Sequence, residues 1–154
     1  MLAVTSWGSG ILPDKRGSVV ASDIVIRFRS QLANDGEFCN MVFQPKGIVP
    51  AMVTPLTEDE ELDLDGLRVV TRFLLEAGIH GIFPVGSQGE FWALSKEEKE
   101  RVWKVVVDEV NGKIPVYAGA GAESTRETVD LARSAKDLGC DAVSVITPYF
   151  ISPR

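Results

Sequence analysis

This chain has almost no histidine, little cysteine and no excess of positive charge. Its one histidine, His80, lies between Ile79 and Gly81. Without a second imidazole a histidine-rich metal centre is excluded, and a lone histidine at this position reads as structural. Cys39 and Cys140 fit no metal-ligand or redox spacing. That pattern suits free thiols in a reducing compartment. The net charge is −6, and no basic stripe runs through the chain. A nucleic-acid partner is therefore not expected. Every apolar run is broken by charge or glycine well short of the ~20 residues that a membrane span needs. No apolar stretch of signal-peptide length follows a basic start, and Pro13-Asp14-Lys15-Arg16 interrupts early.

What is present divides into two parts. Residues 1–43 carry turn and linker composition, as in Gly8-Ser9-Gly10 and Pro13 to Ser18, with no sustained period. They read as a poorly ordered leader or extension foreign to the domain, with Met41 as a second start; a genuine N-terminal arm is the competing reading. Residues 44–154 form the domain proper. Ile48 to Pro55 is a continuous apolar segment that suits a strand buried on both faces, although Pro50 makes it imperfect. Asp63 can cap a helix whose apolar positions are Leu64, Leu67, Val70, Phe73, Leu74 and Ala77, with Gly78 as its stop.

Three further strand segments follow, at Ile79–Val85, Ile114–Ala118 and Ala142–Thr147. Two helices separate them, each opened by a capping-box pattern, at Ser95–Glu98 and at Ser124–Glu127. Asn111-Gly112 and Gly139 are their stops. Glu76 to Ile82 echoes Asp137 to Val143, each a helix end, a glycine and the next strand. Repeated βα units predict a parallel sheet with right-handed crossovers. On this pattern an open doubly wound sheet and part of a (β/α)8 barrel are both possible.

Gly81–Glu90 is the stretch around which the chemistry gathers. A short strand runs into Gly86-Ser87-Gln88-Gly89-Glu90, which offers a hydroxyl, an amide and a carboxylate within four residues. Polar groups at the C-terminal ends of strands are where α/β folds bind ligands. Gly86 and Gly89 would let the backbone turn sharply and expose N–H groups to a carboxylate or phosphate. Ser87 has no neighbouring histidine to make it a nucleophile, so proton relay is its candidate role. The plainer reading is a tight strand-to-helix turn with a polar rim. Thr54 and the Thr147-Pro148-Tyr149-Phe150 block lie at the same edge. Gly119-Ala120-Gly121 lacks the third glycine of a dinucleotide fingerprint and reads as a chance pair. The run Glu58–Glu61 reads as a solvated loop, and Trp92 and Trp103 as packing residues.

Four blocks together carry a family resemblance. Gly47 to Pro55, Gly86 to Glu90 with Leu94-Ser95, Pro115 to Gly121 and Thr147 to Phe150 resemble the dihydrodipicolinate synthase / N-acetylneuraminate lyase family in order and spacing. The resemblance implies an α/β fold, the first four βα units of a (β/α)8 TIM barrel truncated after strand 4. It implies a Schiff-base aldolase-lyase acting on pyruvate or another 2-oxo acid in a cytoplasmic homo-oligomer, with no cofactor and no metal. By the same resemblance Ser87 is the proton-relay position. Gly86, Gln88, Gly89 and Thr54 are substrate-binding positions, with Gln88 replacing a hydroxyl residue. Phe150 stands at a relay-tyrosine position and has no hydroxyl.

The family's Schiff-base lysine lies on a later strand. Lys46, Lys113 and Lys136 flank other elements, and Lys96, Lys99 and Lys104 fall on a helix taken as exposed, where an ammonium is not desolvated. A barrel of this kind takes about 250 residues. The chain thus reads as an N-terminal half, inactive alone. A related 2-oxo-acid aldolase, a sugar-acid dehydratase and a non-catalytic half-barrel assembly module are the alternatives.

Overall fold

The computed structural model describes residues 45–146 and the backbone of Leu2–Ala3. In chain order its elements are β1 (Leu2–Ala3), α1 (Leu64–Glu76), a single 3-10 turn at Ser87–Gly89, α2 (Lys96–Val110), β2 (Tyr117–Gly119), α3 (Thr125–Asp137) and β3 (Ala142–Ile146). The expectation for residues 1–43 concerns positions otherwise outside the described residues, as do Thr147, Tyr149 and Phe150.

Local chemistry sets each helix. The Asp63 carboxylate accepts the Gly66 N–H at 2.8 Å and opens α1. α2 opens on a complete capping box. Ser95 Oγ accepts from Glu98 N–H at 3.2 Å, and the Glu98 carboxylate accepts from Ser95 N–H at 2.7 Å. At α3 only the forward half of the expected box is made, Ser124 Oγ accepting from Glu127 N–H. All three helices end before a residue in the left-handed region, at Gly78, Gly139 or, for α2, at Asn111 itself.

The strand segments lie side by side in chain order and run parallel. β2 pairs with β3 in the register Tyr117↔Ala142 to Gly119↔Ser144. Ile82 bridges Val116, and Ala51 bridges Phe83, both parallel. The first two segments are thus reduced to ladders around single bridges. Their hydrogen bonds are regular, with Phe83 N–H donating to Pro50 O at 3.0 Å and Met52 N–H to Phe83 O at 3.1 Å. β1 pairs antiparallel with the far side of β3.

The first segment is not buried on both faces. Ile48 is 66% and Val53 53% exposed, because the segment has a strand partner on one side only among the described residues. Phe73, expected in the core, is 68% exposed, while Leu67 and Thr71 make the buried seam of α1. The core lies between the sheet and the helices, around Ile82, Val102, Trp103, Val106, Val116, Leu131 and Val143. Trp103 packs there as expected, although its Nε1–H has no acceptor among the described residues. Trp92 does not. It is 60% exposed and touches Phe91 edge-on. On the outer side Arg72 binds Glu109 across α1 and α2, and that hydrogen bond holds the Glu109 carboxyl below its ordinary range.

Candidate substrate cradle at the strand ends

The loop after the second strand segment takes its shape from an unexpected residue. Gly86 and Gly89 do not supply the left-handed backbone; Val85 (φ 59°) and Glu90 (φ 51°) do. The glycines are needed for closeness instead. A Cβ at Gly86 would lie 3.0 Å from the Phe83 ring, and one at Gly89 would lie 2.9 Å from Thr54 Oγ1. The pair Gly119 and Gly121, read as chance, has the same purpose. A Cβ at Gly119 would sit 1.8 Å from Val85 O, and one at Gly121 would sit 2.5 Å from Ile146 Cγ2. At Gly119 the Val85 backbone fills the space that a side chain would need, and at Gly121 the Ile146 side chain does.

A cavity of about 330 Å³ opens at this edge. Gly86, Ser87 and Gln88 form its polar lip, with Phe91 behind them. Ala51, Phe83 and Val85 form one wall, and Gly119, Gly121, Ser144 and Ile146 the other. None of these residues is ionisable. Among the described residues, those that could hold an anion here are neutral donors. Two are available: the N–H groups of Ser87 and Gln88, which open the 3-10 turn and meet no acceptor among the described residues. Ser87 and Gln88 are exposed, and Ser144 is buried.

Of the expected site residues, Gly86, Ser87 and Gln88 line the cavity. Thr54 and Gly89 stand behind the loop, where Thr54 Oγ1 donates to Gly89 O at 2.9 Å and ties it to the first strand segment. Phe150 lies outside the described residues. Ser144 is the residue that sequence reasoning missed. Its only signal was a hydroxyl among the apolar residues of the fourth segment.

Among the described residues, no lysine lines the cavity. Lys99 corrects the expectation of an exposed helix lysine, for it is 6% exposed. It falls on the stripe Lys99, Val102, Trp103, Val106 and Val110, with its stem packed as part of an apolar seam. Burial lowers its pKa, and the Glu127 carboxylate offsets part of that shift. A larger cavity of about 450 Å³ lies at the other end of the sheet, beside Gly112, Cys140 and Asp141, away from the polar loop. There burial, with the charge of Asp141, pushes the Cys140 thiol up to about 12.

Comparison with known proteins adds the family context. The model of the dihydrodipicolinate synthetase family matches residues 44–154. The 4-hydroxy-tetrahydrodipicolinate synthase of Methanopyrus kandleri is 49% identical over 114 residues, which are 73% of this chain and 38% of that protein. The structure of the chloride-inhibited dihydrodipicolinate synthase of Acinetobacter baumannii, complexed with pyruvate, superposes with a TM-score of 0.68 at 41% identity. It is covered over 37% of its chain, against 70% of this one. An N-acetylneuraminate lyase from Mycoplasma synoviae superposes at 0.67 with 43% identity, covering 71% of this chain and 38% of that one. The chain thus spans less than two fifths of the length of these relatives.

Proposed function

Because this chain belongs to the dihydrodipicolinate synthetase family, we propose that its Ser87–Gly89 loop cradles the carboxylate of pyruvate or another 2-oxo acid. The observation that carries this reading is the pair of N–H groups at Ser87 and Gln88 that meet no acceptor among the described residues, on the lip of a cavity whose described lining carries no charge. Neutral donors that need no reorganisation stabilise an anion well in a partly dry site. The Ser87 hydroxyl beside them is the proton-relay group. Gln88 offers an amide that both donates and accepts, which suits a hydroxylated second substrate as well as an aldehyde. The reaction class is that of a lyase forming or breaking a carbon–carbon or carbon–oxygen bond next to the oxo carbon.

In this reading the chain is the first four units of a (β/α)8 barrel. Parallel segments side by side in chain order support it, since a doubly wound sheet reverses its order at a switch point. The amine that would form an imine with the oxo carbon comes from outside the described residues, since no described lysine lines the cavity. Homo-oligomeric assembly and a cytoplasmic setting belong to the same proposal.

The test combines two measurements on the whole chain. Titration with pyruvate, followed by amide NMR shifts, is expected to move Ser87 and Gln88 first. Pyruvate with borohydride is expected to leave the mass unchanged. Shifts that avoid the loop would remove the cradle. A stoichiometric adduct on Lys99 or another lysine among the described residues would remove the claim that the imine-forming amine lies elsewhere.

A further inference from the structure

We propose that Ser144 is a ligand contact, its hydroxyl donating to the oxo oxygen of a 2-oxo acid whose carboxylate rests on Ser87 and Gln88. The assignment rests on the cradle proposed above and adds a second anchor to it. β3 alternates, with Val143 in the core, Val145 packed against it, and Ser144 and Ile146 on the cavity. Ser144 is 6% exposed, and it lines the cavity. A hydroxyl on a cavity wall can donate to a ligand oxygen held in that cavity.

The register places this hydroxyl at a useful distance from the loop. Ser144 pairs with Gly119, whose N–H donates to Pro84 O. Gly119 carries no side chain, so nothing projects into the cavity from the strand between Ser144 and the loop. Two strand spacings of about 4.8 Å separate β3 from the second segment, roughly 10 Å in all. A three-carbon oxo acid has oxygens about 3–4 Å apart by ordinary bond lengths. With a hydrogen bond of about 2.8 Å at each end, it bridges that gap.

The experiment compares pyruvate with propanoate, which keeps the carboxylate and lacks the oxo group. Affinities are read from NMR titrations of the full chain and of Ser144→Ala. Ser144→Ala is expected to weaken pyruvate about threefold to tenfold, the effect of one lost neutral hydrogen bond, and to leave propanoate unchanged. Ser144→Cys keeps the volume without the strong donor, and reports the same loss should the alanine variant melt early. If pyruvate binds wild type and both variants equally, the Ser144 contact is wrong and the cradle stands. Equal losses for both acids assign the effect to the fold and also overturn the contact. If neither acid binds the wild-type chain, the cradle and this inference fall together.

Discussion

At the scale of single residues, Val85 and Gly119 define each other. A buried β-branched residue at φ 59° is strained, and such strain persists only where its surroundings fix it. Here the Val85 carbonyl turns onto the Cα of Gly119. Gly119→Ala is expected to cost about 3 kcal/mol in a urea titration, because the obstructing atom is backbone and not a flexible side-chain end. Thr54→Val leaves Gly89 O without its donor, for about 1 kcal/mol, and should weaken pyruvate binding by loosening the loop. Cys140 gives a pH signature. Its folded pKa of about 12 lies above that of an unfolded thiol near 8.5. Between these values the native state holds more protons than the unfolded one, so this contribution to stability falls as pH rises. Melts of wild type should lose stability between pH 9 and 11 relative to Cys140→Ala, and parallel curves would refute it. The place of Ser87 and Gln88 at the cavity edge was legible in sequence because a strand, a polar turn and a helix cap follow one another within a few residues. The work of Gly86, Gly119 and Gly121 was not, since closeness between strands distant in sequence leaves no local trace.

Among the elements, helices were easier to read than strands for a physical reason. Helix ends are set by residues three or four apart, as with Asp63 and Gly66 or Ser95 and Glu98. Removing the α2 box through Ser95→Ala is expected to cost about 1 kcal/mol by circular dichroism melts. Ladder length depends on partners elsewhere in the chain. The segment Ile48 to Pro55 therefore read as a full buried strand, yet it holds one bridge and exposes Ile48 and Val53. Lys99 shows the opposite failure. Its charge suggested the surface, but its three-residue spacing from Val102 places it in the seam. Phe73 and Val69, one turn apart on the outer face of α1, show that an apolar spacing does not name the surface it meets.

For the molecule as a whole, the exposed apolar residues Ile48, Val69 and Phe73 are a self-association hazard. Phe73→Gln should change the urea midpoint little, within about 0.5 kcal/mol, and lower the apparent mass by light scattering. An unchanged mass would show that this face takes no part. The neighbour-to-neighbour order of the segments has a consequence for how the chain is made. Each segment pairs with the one before it, from Ala51 with Phe83, through Ile82 with Val116, to Gly119 with Ser144. Every new unit emerging from the ribosome therefore finds its docking surface already synthesised, with only short loops to close. The cradle is complete only once its far wall, Ser144 and Ile146, has been made.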